Sequence, residues 1–300
     1  MEFEANQLKR IQTKESASIS LRLINEGRMG YSSSTRPDET EALVDRAMEV
    51  SQFGARARFD FPSPGEYPQI PVYDPAVEDV TVEEMINLGE SLITKVREHT
   101  PELLCQAEVT REVISIHILN SLGGEASYRK TFFAVSFAGT LIHDTDMLFV
   151  GDSECSCHPI VDSTKVGHSV ITQLELARNR GVISGGQLPV IFTPLGVGDV
   201  LLAPLAVAFN GKTVLNGASP LGSKIGEQIF DSRLRLWDDA TIPHRPRSCP
   251  FDDESVQTER TLLIDRGRVA NFLYDLQTAG MAGKRSTGNA SRSGGGLPTP

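Results

Sequence analysis

The sequence predicts an α+β chain. Three observations carry that prediction. Two stretches alternate apolar and polar residues with the period of a half-buried strand: Ile19, Leu21 and Leu23 against Ser18, Ser20 and Arg22, and Ile114, Ile116 and Ile118 against Ser115 and His117. Capping-box patterns at Thr35–Asp38 and Thr81–Glu84 open amphipathic runs. A third run, Val200 to Phe209, is apolar at every position, which is the signature of a helix buried on all sides.

Taken in order, Gln7–Lys14 reads as a first strand. Ala17–Ile24 and Met29–Ser34 form a hairpin through Asn25-Glu26-Gly27-Arg28, where Gly27 can take positive φ. The helix after Thr35 carries Leu43, Ala47 and Val50 and ends near Gly54. Five prolines between Phe61 and Pro75 mark an extended linker or a surface-hugging loop. The second capped helix runs to about His99 on the stripe Met85, Leu88, Leu92 and Val96. Four strand-like segments follow near 103–110, 111–120, 126–138 and 146–152, with a turn at Leu122-Gly123-Gly124. Ser163–Asn179 is a third amphipathic helix, and Gly181, Gly185 and Gly186 punctuate its end. The expected organisation is therefore residues 1–186 (1–54, a Pro-rich linker 55–80, then 81–186) and residues 187–300. The second part opens on a strand, Leu188–Phe192, and the apolar helix capped by Asp199. It continues through a polar, Gly-rich stretch, Asn216–Gly226. It then forms a hairpin, Thr261–Ile264 and Val269–Tyr274, and a short helix, Asp275–Met281.

A formal net charge of −10 argues against a broad nucleic-acid or anionic-membrane surface. Four cysteines at irregular spacing do not make a disulfide framework, so a reducing cytoplasm is the expected setting. No N-terminal stretch has the pattern of a signal peptide, and no apolar run reaches the ~20 residues that span a bilayer.

Candidate chemistry is sparse. Cys155-Ser156-Cys157-His158 offers two thiols and an imidazole to zinc, but no second ligand pair stands at a finger-like spacing; ordinary loop thiols are the alternative. Asp252-Asp253-Glu254, with Asp238-Asp239 upstream, is either a cation site or a solvated, arginine-pairing turn, with Arg245 and Arg247 nearest in sequence. The six histidines fall in no ligand spacing, and no nucleophile elbow, P-loop or dinucleotide motif is present; Gly294-Gly295-Gly296 has no strand before it.

Several short motifs nevertheless recur in a recognisable order. Leu21 to Gly30, Pro250-Phe251-Asp252-Asp253-Glu254, Leu263-Ile264-Asp265-Arg266-Gly267 and Ser286-Thr287-Gly288-Asn289-Ala290 resemble the signatures of the TldD/PmbA family, a metallopeptidase family also described as modulators of DNA gyrase, with the PmbA (TldE) branch nearest. The resemblance implies an N-terminal antiparallel sheet with flanking helices and a mostly β C-terminal domain around a buried helix. It also implies a chain shorter than the family pattern at both ends. TldD-type members carry H-E-x-x-x-H on that helix for zinc. The matching positions here are Ala203, Pro204 and Ala208, which neither bind metal nor accept a proton.

The resemblance therefore implies a cytoplasmic subunit with no catalytic or metal residue of its own. Its partner would be a zinc-bearing TldD-like metallopeptidase in a heterodimer, or a second copy in a homodimer. Its ligand would be peptide; the net charge of −10 and the lack of a long apolar run speak against nucleic acid and membrane as partners. An autonomous metallopeptidase using Cys155, Cys157 and His158, and a peptide-binding protein without a protease partner, are the other readings. Thr287, Gly288, Asn289 and Arg292 are the positions the resemblance offers to peptide; a loop capping the short helix at Asp275 is the other reading of that stretch. Ser255 departs from the family pattern, where Gly follows the Glu of the acidic motif.

Overall fold

The computed structural model describes residues 1–179, 181–292 and 297–300. Strands β1 (Glu2–Glu4) and β2 (Gln7–Arg10) come first. The hairpin β3 (Ile19–Asn25) and β4 (Arg28–Ser34), helix α1 (Thr40–Ser51), a short α2 (Ala76–Asp79) and α3 (Val82–His99) follow. The long strands β5 (Leu104–Leu119), β6 (Glu125–His143) and β7 (Asp146–Ser156) lead to α4 (Thr164–Ala177). The C-terminal part holds α5 (Pro194–Gly196), a π-helical turn (Val197–Leu202), α6 (Ala203–Phe209) and α7 (Gly211–Leu215). Strands β8 (Leu236–Asp239), β9 (Arg260–Asp265) and β10 (Arg268–Val269) and helix α8 (Leu276–Ala282) complete it.

The main sheet is antiparallel in the order β2-β1-β5-β6-β7, so the first two strands of the chain pair across to β5. The expected strands near 103–110 and 111–120 are one strand, because β5 runs in unbroken register against β6 from Leu104–Thr140 to Leu119–Glu125. Helices α3 and α4 bury Leu92, Val96, Val166 and Val170 against Val109, Phe133 and Val135 of the sheet. The apolar stripe read from the sequence is thus the packed face of α3. Its Thr81–Glu84 capping box forms as expected, with the Glu84 amide donating to Thr81 Oγ1 and the Thr81 amide to Glu84.

The small β3–β4 hairpin turns at Glu26-Gly27, both at positive φ, and carries α1 on one face. The contact is backbone-close: a Cβ on Gly30 would lie 2.0 Å from the Ala47 carbonyl oxygen. Gly30→Ala therefore forces α1 off the hairpin, and we expect about 1–3 kcal/mol lost in urea unfolding. The start of α1 differs from expectation. Thr35–Asp38 makes no capping box; the helix begins at Thr40 with no side-chain cap, since Arg36 folds back to Ser34 and pairs with Glu39.

The Pro-rich stretch is a strap rather than a free linker. The Pro62 and Val72 carbonyls accept from Asn120 and the Thr131 amide, and Pro71 accepts from the His244 amide. Three further expectations change. Leu188–Phe192 is not a strand; it lies exposed without ladder partners. Asp199 does not cap the apolar helix. That helical rod is capped six residues earlier, by Thr193, whose hydroxyl accepts from the Gly196 amide. Nor is the rod buried all round: Ala208 and Phe209 are buried, whereas Val200 and Val207 are 54% and 61% exposed. Only its C-terminal end, from Leu205 on, reaches the second, smaller core of Phe209, Ile264, Val269 and Phe272, while Leu195, Val200, Leu201 and Leu202 are exposed. The C-terminal part is accordingly less β-rich than expected, with three short strands among turns and isolated bridges.

Candidate functional site

The residues singled out in the sequence fall into three places. On the apolar rod, Ala203 and Pro204 are exposed and Ala208 is buried. Pro204, which has no N–H to return to the preceding turn, is the second residue after the π-helical turn. None of the three offers an oxygen, nitrogen or sulfur ligand from its side chain, so this helix does not fit zinc.

The second place is the end of β7. Cys155 is exposed, Cys157 is buried, and burial pushes the Cys157 thiol above its ordinary range, away from the thiolate a metal requires. His158 instead pairs its Nδ1 with Asp74 Oδ2 at 2.6 Å and stacks on His244 at 4.3 Å between ring centres. Among the described residues, no three His, Cys, Asp or Glu side chains converge as a metal-binding group.

The third place joins both ends of the chain. The acidic loop 252–254, expected to be either a cation site or a solvated turn, is a buried crossing point, and its arginines are Arg22 and Arg292 rather than Arg245 and Arg247. Asp252 and Glu254 are only 6% and 4% exposed. Glu254 accepts from the Arg22 guanidinium through Oε1 and from the Leu276 amide, at the start of α8, through Oε2 at 2.6 Å. Arg22 reaches it from β3, with its guanidinium over the rings of Phe59 and Phe61 at 4.8 and 5.4 Å. Asp252 Oδ1 accepts from the amides of Glu254 and Val256, both at 2.9 Å, and Oδ2 from Ala290 at 3.0 Å. Burial pushes the Asp252 carboxyl up to about 7, against the pull of these three amides; Glu254 also lies above its ordinary range, burial outweighing Arg22.

Ser255 does sit at positive φ, 62°, the conformation for which glycine is favoured. Its hydroxyl lies 2.5 Å from the Tyr67 hydroxyl, which also donates to the Ser255 carbonyl at 3.0 Å. Tyr67 belongs to the Pro-rich strap and packs on Phe251. The departure from glycine is thus matched by a side-chain partner that glycine would lack.

Of the four positions offered to peptide, only Arg292 bonds to this loop; Thr287, Gly288 and Asn289 are held by the segments around it. Thr287 exchanges hydrogen bonds with the Tyr274 backbone, donating its amide at 2.9 Å and accepting at Oγ1 at 2.8 Å. Gly288 takes φ 66°, and a Cβ there would meet the Gln257 carbonyl oxygen at 2.3 Å. Asn289 donates to Asp238, while its own Oδ1 is buried with no partner among the described residues. Arg292 donates its amide to Asp253 Oδ2 at 2.6 Å and its guanidinium to the Asp253 carbonyl at 2.8 Å. Sequence reasoning singled out both motifs but not their meeting, and it missed Arg22, Phe59 and Tyr67. The only signal for these was that Arg22 stands in the alternating strand of a family-like motif.

Comparisons with known proteins agree with this picture. Residues 1–51 match the family model described as PmbA/TldA metallopeptidase domain 1, and residues 185–300 match PmbA/TldA metallopeptidase C-terminal domain. An uncharacterised protein of Methanocaldococcus jannaschii is 27% identical over 99% of the chain and 69% of its own length. A metalloprotease of Archaeoglobus fulgidus is 22% identical over the same shares. The crystal structure of TldE from Thermococcus kodakarensis superposes with a TM-score of 0.86 at 21% identity, covering 100% of this chain and 69% of that one. The two family models fall at opposite ends of the chain, on the very segments that Arg22, Glu254 and the 287–292 loop bring together, and the fold is shared throughout: the chain belongs to the PmbA/TldD metallopeptidase family.

Proposed function

We propose that this chain is a PmbA/TldE-like subunit without hydrolytic chemistry of its own, which works in peptide breakdown beside a zinc-bearing TldD-type metallopeptidase in the cytoplasm. One correspondence supports the reading: the positions that the family resemblance aligns with the zinc ligands of TldD-type members hold Ala203, Pro204 and Ala208 in this chain. The buried, outward-facing-thiol mixture at Cys155 and Cys157 and the engagement of His158 with Asp74 weigh against an autonomous zinc site there. The apolar face left open on the 194–207 rod favours a partner over an isolated monomer, because contiguous exposed apolar surface of this kind marks interaction sites. A net charge of −10 favours peptide over nucleic acid as the ligand, and no helix among the described residues is long and apolar enough to cross a membrane.

Elemental analysis tests this reading. The purified chain should hold no zinc, and zinc should be found only in the complex that forms when a TldD-type subunit is added. Stoichiometric zinc in the chain alone, lost on replacing Cys157 or His158, would overturn it in favour of the autonomous enzyme. A chain that stays separate from every TldD-type subunit offered would leave only the peptide-binding reading.

A further inference from the structure

Strand β7 is an edge of the main sheet, and one of its residues is already paired on the open side. The carboxamide of Gln173, on α4, accepts from the Gly151 amide at 3.1 Å and donates to the Gly151 carbonyl at 2.9 Å. A primary amide carries the same donor and acceptor as a peptide unit. Gln173 therefore occupies the place of one residue of an added strand.

That pairing also fixes which way the rest of the edge points. In an antiparallel ladder, backbone groups alternate between the neighbour and the open side. With Gly151 facing out, Met147, Phe149 and Ser153 face out as well, while Asp146, Leu148 and Val150 bond to β6, as the two-residue turn between His143 and Asp146 requires. The Ser153 amide is taken by Asp152 Oδ1 at 2.8 Å. The amides and carbonyls of Met147 and Phe149 have no partner among the described residues. Beside them lies a cavity of about 330 Å³ whose apolar lining is Leu141, Leu148, Leu174 and Ala177 and which Met147 of the same edge also borders. Met147 and Phe149 are 61% and 71% exposed.

We propose that the Met147–Phe149 edge of β7 binds a short extended peptide by strand addition, with an apolar side chain of that peptide in the Leu141/Leu148/Leu174 cavity and Gln173 setting where the added strand must stop. The four free backbone groups supply sequence-independent hydrogen bonds, and the cavity supplies the preference. Side chains that alternate along the added strand fall in turn over the cavity and on the other face of the sheet. The inference rests on the peptide-handling part of the proposed function, not on the TldD-type partner.

The test titrates a fluorescent Ser-Val-Leu-Val-Ser amide, and a twin N-methylated at alternate positions, onto the purified chain with no other subunit present. The parent peptide should saturate and protect the Met147 and Phe149 amides from hydrogen exchange, and each twin register that loses its donors should bind at least about ten-fold more weakly. Phe149→Pro, tolerated on an edge where the N–H faces outward, should cause the same loss. Gln173→Ala, which frees Gly151 for a further pair, should tighten binding several-fold. Equal binding of parent and twin would overturn the proposal. So would protection elsewhere than residues 147–149, or protection of these amides that rises with protein concentration alone, which would assign the edge to a second copy. A chain that passes this test yet never joins a TldD-type subunit refutes only the proposed function; one that joins it but shows no protection at Met147 and Phe149 refutes only this site.

Discussion

Replacing Arg22 with Met should cost the folded chain about 3–5 kcal/mol, the largest loss expected from any single change in β3, because it leaves the Glu254 carboxylate buried without its counter-ion. The Arg22 and Glu254 side chains are 9% and 0% exposed, so solvent cannot replace the lost partner. The guanidinium also fills the space between the Phe59 and Phe61 rings and Glu254, and Met keeps the length of that stem but not its charge or planar face. The pair spans residues 22 and 254, so its loss should loosen the β3–β4 hairpin from the C-terminal part while the main sheet stays folded. Urea unfolding followed by near-UV signal gives the magnitude, and hydrogen exchange shows where the loosening occurs. The double variant Arg22→Met/Glu254→Gln should recover part of the loss, because the neutral amide can still accept from Leu276 and no charge is stranded. If the double variant is as unstable as the single one, the ion pair is not what holds the junction.

Asp252→Ala should be nearly as damaging, at roughly 3 kcal/mol or more, because three buried amides lose their acceptor together: Glu254, Val256 and Ala290. The first two shape the acidic loop and the third fastens the tail to it, so both should become susceptible to proteolysis at once. The same carboxyl sets a pH dependence. Its pKa in the folded chain is raised to about 7, above the roughly 3.9 of an unfolded aspartate. The folded state therefore holds a proton that the unfolded chain releases. The stability tied to that proton is complete below about pH 4, declines as pH rises through about 7, and is constant above it. Urea midpoints across pH 5–8 should fall for the native chain and fall less steeply for Asp252→Asn, in which the buried Glu254 still lies above its ordinary range. The Asn variant should be less stable throughout, since its NH₂ group would face the Ala290 N–H donor to donor. A native chain whose midpoint rises over that interval would show that the three amides outweigh burial.

Local rules made much of the fold legible. The β3–β4 hairpin, the Thr81–Glu84 cap, the α3 and α4 stripes and the turns at Gly27 and Gly123 each follow from contacts within a few residues, and each forms where those contacts place it. The structure departs from these local signals where a competitor outweighs them. Thr35–Asp38 has the letters of a capping box, but neighbours just as near compete, with Arg36 bonded to Ser34 and Glu39. Leu188–Phe192 has strand-forming residues and no strand among the described residues to pair with. The acidic run 252–254 looked solvent-facing because its partners, Arg22 and Arg292, lie 232 and 39 residues away along the chain.

By itself, the sequence determined the α+β class, the family-like motifs and the absence of ligand atoms at Ala203, Pro204 and Ala208, since a side chain's chemistry does not depend on its surroundings. Only the tertiary structure decided which carboxylates are buried, which arginine meets which, that the Pro-rich stretch is a strap, and that Gln173 fills one place on an open strand edge. It also decided that the rod from Pro194 to Phe209 reaches the smaller core only at its C-terminal end. The physical reason is the same in each case. Hydrophobicity and charge state what a residue requires, but burial and pairing are relations between distant parts of the chain, and the sum of such long-range contacts settles which requirements are met.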